Sequence, residues 1–168
     1  RVRERGVLLC EKLRLAGGSN DELLDELSGF WKEPDPRVRL QLALTLGEFH
    51  APQLMEVDGG IVHETHGDLT MALLHNSDNE PLIRAAVFSG SKDRTAFVFN
   101  WLSFRNKAEK VADQKALLES IQMIGFANKK NEVASVIDFI TRSSSQSASL
   151  RALAEGLKRV GLQVNGSY

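Results

Sequence analysis

The residues best suited to chemistry gather in one stretch, "HAPQLMEVDGGIVHETHGD", residues 50–68. His50, His63 and His66, three of the four histidines, stand there beside Glu56, Asp58, Glu64 and Asp68. Imidazole and carboxylate together suit zinc and similar ions, and His63, His66 and Asp68 are the candidate metal ligands. The two imidazoles of His63-Glu64-Thr65-His66 are three residues apart. That differs from the H-E-x-x-H arrangement, which sets its histidines one helical turn apart on one face. Asp58-Gly59-Gly60 reads as a turn, so no rigid element holds the set together. The segment reads as a solvated polar loop inserted between helices, and no metal or other cofactor is assigned to it.

Elsewhere the chemistry thins out. Neither G-x-G-x-x-G nor a Walker-type loop occurs, and G-x-S-x-G is absent. Ser143-Ser144-Ser145 reads as a linker and helix cap. The single cysteine, Cys10, lies in the apolar run "VLLCEKL" and reads as a small buried hydrophobe. No nucleophile is paired with a base, so no catalytic residue is assigned and the segment reads as non-enzymatic. Trp31, Trp101 and the phenylalanines fall at core spacing on amphipathic helices, which favours packing over base stacking. The net charge of −1 gives no general attraction for nucleic acid. Five basic and two acidic side chains in residues 1–15 are followed by four acids in 21–26, so charge compensates locally. No apolar run is long enough to cross a bilayer.

The positioning elements repeat. "DPRVRLQLALTLGEF" (35–49) begins with Asp35 as a helix cap and Pro36 at the first helical position, where no amide donor is lost. Val38, Leu42, Leu46 and Phe49 form one apolar face, broadened by Leu40, Ala43, Leu44 and Gly47, and Gly47 or a nearby residue can turn the chain. "NEPLIRAAVFSG" (79–90) and "SASLRALAEGLKRVG" (147–161) repeat the cap, the aliphatic-Arg pair, the apolar run and the glycine. "DQKALLESIQMIG" (113–125) keeps the aliphatic spacing and the glycine but lacks the arginine, and "RVRERGVLLCEKL" opens the chain with Val2-Arg3. Anchors at 3, 39, 84, 117 and 151 are separated by 36, 45, 33 and 34 residues, the spacing of a stacked helical array.

Second helices fill the intervals: 19–31, with Ser19 and Glu22 as a capping box, then 67–75, 92–104 and 131–140. The run "AFVFNW" also suits a strand, but no partner for one lies nearby. The expected fold is all-α: a single domain over 1–168 with about nine helices, in four antiparallel pairs and an unpaired last one, or four and a half repeats. Arg39, Arg84 and Arg151 recur at one repeat position, where a guanidinium can fork onto a carboxylate or helix-end carbonyl of the adjacent unit. The start at Arg1, without a methionine, and the bare last helix suggest a piece of a longer chain that continues the array.

Asp35-Pro36-Arg37-Val38-Arg39, with Ala43 and Gly47 after it, resembles the HEAT-like repeat, whose units often read D-P-x-V-R. Joined to "PLIRAAVFSG", it resembles the HEAT segment of large planctomycete-type membrane-bound dehydrogenase-like proteins that carry a c-type haem domain. That resemblance implies an α-solenoid between a propeller-type dehydrogenase-like domain and a haem domain, in an extracytoplasmic bacterial setting. The chain has no C-x-x-C-H and no propeller-blade pattern, so redox cofactors of such a parent would lie outside it. The function expected is a non-catalytic scaffold or protein-interaction module whose partners are another protein or flanking domains of the same polypeptide. Two alternatives stand beside it: a HEAT-like nucleic-acid-binding protein or DNA glycosylase, and a metal-responsive module built on 50–68.

Overall fold

The computed structural model describes residues 2–15, 20–49, 54–57, 60–63, 65–77, 80–90, 94–104, 111–143 and 146–161. Among them are nine α-helices: α1 (Val2–Leu15), α2 (Asn20–Leu27), α3 (Pro36–Glu48), α4 (Thr65–His75), α5 (Pro81–Phe88), α6 (Arg94–Phe104), α7 (Val111–Ala127), α8 (Lys130–Arg142) and α9 (Gln146–Arg159). A single 3-10 turn, Phe30–Lys32, follows α2, and a two-stranded hairpin pairs β1 (Leu54–Val57) with β2 (Gly60–His63). Among the described residues the fold is all-α apart from that hairpin.

Helix α3 starts where its caps dictate. The Asp35 carboxylate accepts from the Arg37 backbone N–H at 3.0 Å, and Pro36 occupies the first helical position. It ends at Phe49, where the backbone turns extended. Helix α5 also opens on proline, but Glu80 ahead of it makes no side-chain cap, because its carboxylate is drawn to Arg39. Asn128, at φ 50°, takes the left-handed conformation between α7 and α8, and its N–H closes onto the Ile124 carbonyl at 2.9 Å.

Three local expectations need correction. The stretch 50–68 is not loop throughout: β1 and β2 pair antiparallel, with Val57 opposite Gly60 and Leu54 opposite His63, and α4 already begins at Thr65. An Asp-Gly dipeptide between two aliphatic runs is a strong short-range hairpin signal. The helix drawn over 19–31 stops at Leu27, and Phe30 and Trp31 belong to the 3-10 turn; its expected cap, Ser19, lies outside the described residues. Ser147, expected as a cap, is an exposed residue inside α9.

Where the sequence suggests one domain, the chain divides into two compact units, Arg1–Phe97 and Val98–Tyr168. In the first, α3 packs against both α1 and α5, α2 touches α1 and α4, and α4 packs on α3 and α5. Its core is mostly aliphatic, with Leu27, Leu42, Leu46 and Leu74 fully enclosed and Phe49, Phe88 and Phe97 also buried. In the second, α7 packs closely on α9 and α8 touches both. The Phe99 ring meets Phe139 of α8 edge-on, with centroids 5.7 Å apart.

Candidate functional site

The candidate metal ligands fall at the hairpin and the helix after it. His63 is the last residue of β2, His66 lies in the first turn of α4, and Asp68 follows it, exposed. The side chains of Glu56, His63 and His66, and the whole of His50, Asp58 and Glu64, lie outside the described residues. Among the described residues no group of three or more histidine, cysteine, aspartate or glutamate side chains could hold a metal ion. Cys10 is half-buried, and its pKa is raised, first by burial and then by Glu26. Both effects disfavour the thiolate, the reverse of an activated cysteine.

The recurring arginines do have a shared geometry in the first unit. Arg3 donates to both carboxylate oxygens of Glu33, at 2.6 and 2.7 Å. Arg39 donates to the backbone carbonyl of that same Glu33 and, through its other terminal nitrogen, to the Glu80 carboxylate. Arg84 is buried and donates to the Ser77 carbonyl at 2.7 Å. Each of Arg39 and Arg84 thus fastens the chain leading into its own helix, while Arg3 and Arg39 each reach the glutamate ahead of a later one. Charge-assisted, forked bonds of this kind fix register because a guanidinium has a rigid planar donor set. Arg151 differs, lying exposed on α9. The acceptors escaped notice in the sequence, although a Glu-Pro dipeptide, Glu33-Pro34 and Glu80-Pro81, precedes both α3 and α5.

The glycines also have a role that was not anticipated. Gly47 and Gly125 do not turn the chain; both lie inside helices. A Cβ on Gly90, just beyond α5, would stand 2.9 Å from the Gly47 Cα. One on Gly156 would meet the Gln122 carbonyl oxygen, the Phe126 nitrogen at 2.9 Å and the Gly125 Cα at 3.0 Å. Backbones therefore meet directly at α3/α5 and at α7/α9. Beside the first crossing lies Arg94, wholly enclosed, donating to the Leu46 carbonyl in the last turn of α3. Burial pulls its pKa down to about 10, which still leaves it charged at neutral pH. A cation at the end of a helix is favourably placed against the helix dipole.

The outer side of α3 is the most suggestive surface. Leu44, expected in the core stripe, is exposed, as is Leu82 on α5 (70%). Two shallow clefts border them, one of about 490 Å³ between Leu8, Leu44, Gly47 and Glu48, the other of about 300 Å³ between Pro36, Leu40, Pro81 and Leu82. The smaller cleft is lined mainly by apolar atoms and suits side-chain burial, whereas Gln41, Glu48 and Ser89 make the larger one as polar as it is apolar. Among the described residues no helix is long and apolar enough to cross a membrane. Compared with family models, curated proteins and solved structures, the chain matches none.

Proposed function

We propose that this chain is a HEAT-like helical-repeat stack, an α-solenoid of antiparallel helical pairs that works as a scaffold or protein-interaction module and performs no chemistry of its own. The observation that carries the reading is the arginine relay: Arg3 reaches Glu33, and Arg39 reaches Glu80, each bond joining one anchor to the segment leading into a later first helix. A bond repeated at one repeat position is what a lengthwise stack requires, because each unit's exposed apolar side is covered only by its neighbour. The row of α1, α3 and α5 then presents Leu8, Leu44 and Leu82 to a partner. By the resemblance to dehydrogenase-like multidomain proteins, the flanking domains of the same polypeptide are one such partner.

Small-angle scattering tests the stack. A compact particle of this length has a radius of gyration of about 15 Å, and an extended array exceeds it clearly; a value near the compact one overturns the stack. Absorbance, metal analysis and calorimetry on the purified protein test the rest, with no tightly bound haem, nucleotide or metal expected. A zinc-dependent rise in melting temperature that vanishes on replacing His63 and His66 by alanine would favour the metal-responsive alternative instead. Retention on duplex DNA that falls steeply with salt would favour a nucleic-acid role.

A further inference from the structure

The outer face of α3 is complementary to itself. At 100° per residue, Arg37, Gln41, Leu44 and Glu48 lie within one narrow stripe of the helix, with Leu40 beside it. Arg37 and Glu48 sit at opposite ends, eleven residues and about 16 Å apart. A second α3 laid antiparallel across a two-fold axis midway along this stripe would place Arg37 against the partner's Glu48, and Glu48 against the partner's Arg37. Leu44 and Leu40, with Leu8 on one side and Leu82 on the other, would fill the centre. Leu44 is 44% exposed and Leu8 37%, so this apolar centre is open to receive them.

Arg37 is equipped for the contact. Asp35 takes its Nε at 3.2 Å and one terminal nitrogen at 2.9 Å. The side chain remains 69% exposed, and its other terminal nitrogen can serve a further acceptor. Glu48 is exposed at the far end, beside the cleft that Leu8 and Leu44 border. An apolar centre with opposite charges at its two rims is the arrangement of an isologous interface, in which the same patch serves both copies.

We infer that the partner of this face is a second copy of the chain, docked through antiparallel α3 helices with reciprocal Arg37–Glu48 pairs. The inference deepens the interaction-module reading by naming the partner, and it relies on the α1, α3, α5 row of the first unit alone. Helices α1 and α3, each about 20 Å long, and α5, about 12 Å long, set about 10 Å apart, offer roughly 500 Å² of projected face per copy, at the low end for specific interfaces, so the dimer is weak, with Kd on the order of 10 μM.

Sedimentation velocity on the whole chain, from about 1 to about 200 μM, tests it. The expected result is a monomer–dimer equilibrium that weakens with salt. Arg37→Glu and Glu48→Arg should each weaken it at least about tenfold, because each sets like charges opposite one another twice. Mixing the two variants should restore association as a heterodimer, an outcome that no purely local role of either side chain produces. Leu44→Lys should leave a monomer with unchanged helical circular dichroism, and this variant decides the matter should Arg37→Glu fail to fold. A chain that stays monomeric throughout, a mixture no tighter than its components, or a dimer indifferent to Leu44→Lys overturns the inference. None of those results touches the stack reading, which the scattering radius tests separately.

Discussion

In Arg1–Phe97, α3 is joined to its surroundings by guanidinium groups: Arg3 and Arg39 both bind Glu33, Arg39 continues to Glu80, and Arg94 caps the last turn. In Val98–Tyr168, α7 and α9 approach backbone to backbone where Gly125 crosses Gly156, and the two helices bury Leu117, Ile121, Ile124 and Leu153 as well as the small Ala116, Ser120, Ser149 and Ala152. The anchor position explains the contrast. Leu117 replaces the arginine on α7, and Arg151 on α9 is exposed. At that crossing the closest contacts are between backbone atoms, and dispersion, which falls off steeply with separation, rewards such close approach. The first unit should tolerate a methyl group at Gly47 better than the second does at Gly156, and it should suffer more from lost charge.

Gly156→Ala gives the largest expected effect. Alanine inside a helix normally gains about 1 kcal/mol over glycine. Here the new methyl group would run into backbone atoms of α7, which cannot swing aside as a flexible side chain would. Overpacking should win, with a net loss of about 2 to 3 kcal/mol in urea unfolding. Gly47→Ala is the matched control in the first unit. Its Cβ would stand 3.3 Å from the Gly90 Cα, so a shift of a few tenths of an ångström suffices. Propensity and crowding should nearly cancel, leaving stability within about 1 kcal/mol. Equal losses for the two substitutions would break the contrast between the units.

Arg39→Met comes next. It removes the donor to the Glu33 carbonyl and to a Glu80 carboxylate whose other oxygen, Oε2, is buried with no hydrogen-bond partner among the described residues. Leaving a part-buried charge without its cation should cost about 2 kcal/mol. Arg94→Met should cost less than about 1 kcal/mol, although Arg94 is the more deeply buried residue. The Leu46 carbonyl keeps the Phe49 N–H at 3.2 Å, and methionine is spared the desolvation that the guanidinium suffers. Thermal unfolding of the two variants side by side would show whether the relay or the buried cap holds the first unit.

Much of this was legible from spacing. Helix periodicity, the Asp35-Pro36 start and the fork of Arg39 onto an adjacent segment all follow from local chemistry, and local chemistry is what a sequence displays. The identity of the acceptor was hidden, because Glu80 stands 41 residues from Arg39 and the Glu-Pro dipeptide it shares with Glu33 does not say which side chain it meets. The glycines misled for a different reason. A glycine near the end of an apolar run fits a turn or a backbone crossing equally well, and only the neighbouring helix decides between them. Leu44 shows the same limit: α3 carries apolar residues on more than one side, and which side stays uncovered depends on where α1 and α5 pack. At the candidate metal site, residue types pointed to chemistry, whereas ligand geometry depends on placing His63 and His66 together.

The smallest effect is a pH dependence confined to the start of α3. The Arg37 side chain, and after it the Arg37 backbone N–H, hold the Asp35 pKa down at about 2, against an ordinary 3.8. A carboxyl depressed on folding adds stability that is complete above its unfolded value and is lost as pH falls through the folded one. Amide exchange at the first turn of α3 should therefore speed up between about pH 4 and pH 2, and an NMR titration of Asp35 should centre near the lower value. Arg37→Leu removes the leading cause and should move that midpoint upward while the backbone donor keeps it below the ordinary value. The α7/α9 crossing at Gly125, Leu153 and Gly156 is made by backbone atoms, so its amides should change less over the same range. Parallel acid sensitivity at both places would mean that the two units unfold together, and the division between a charge-held and a contact-held half would then describe geometry without describing stability.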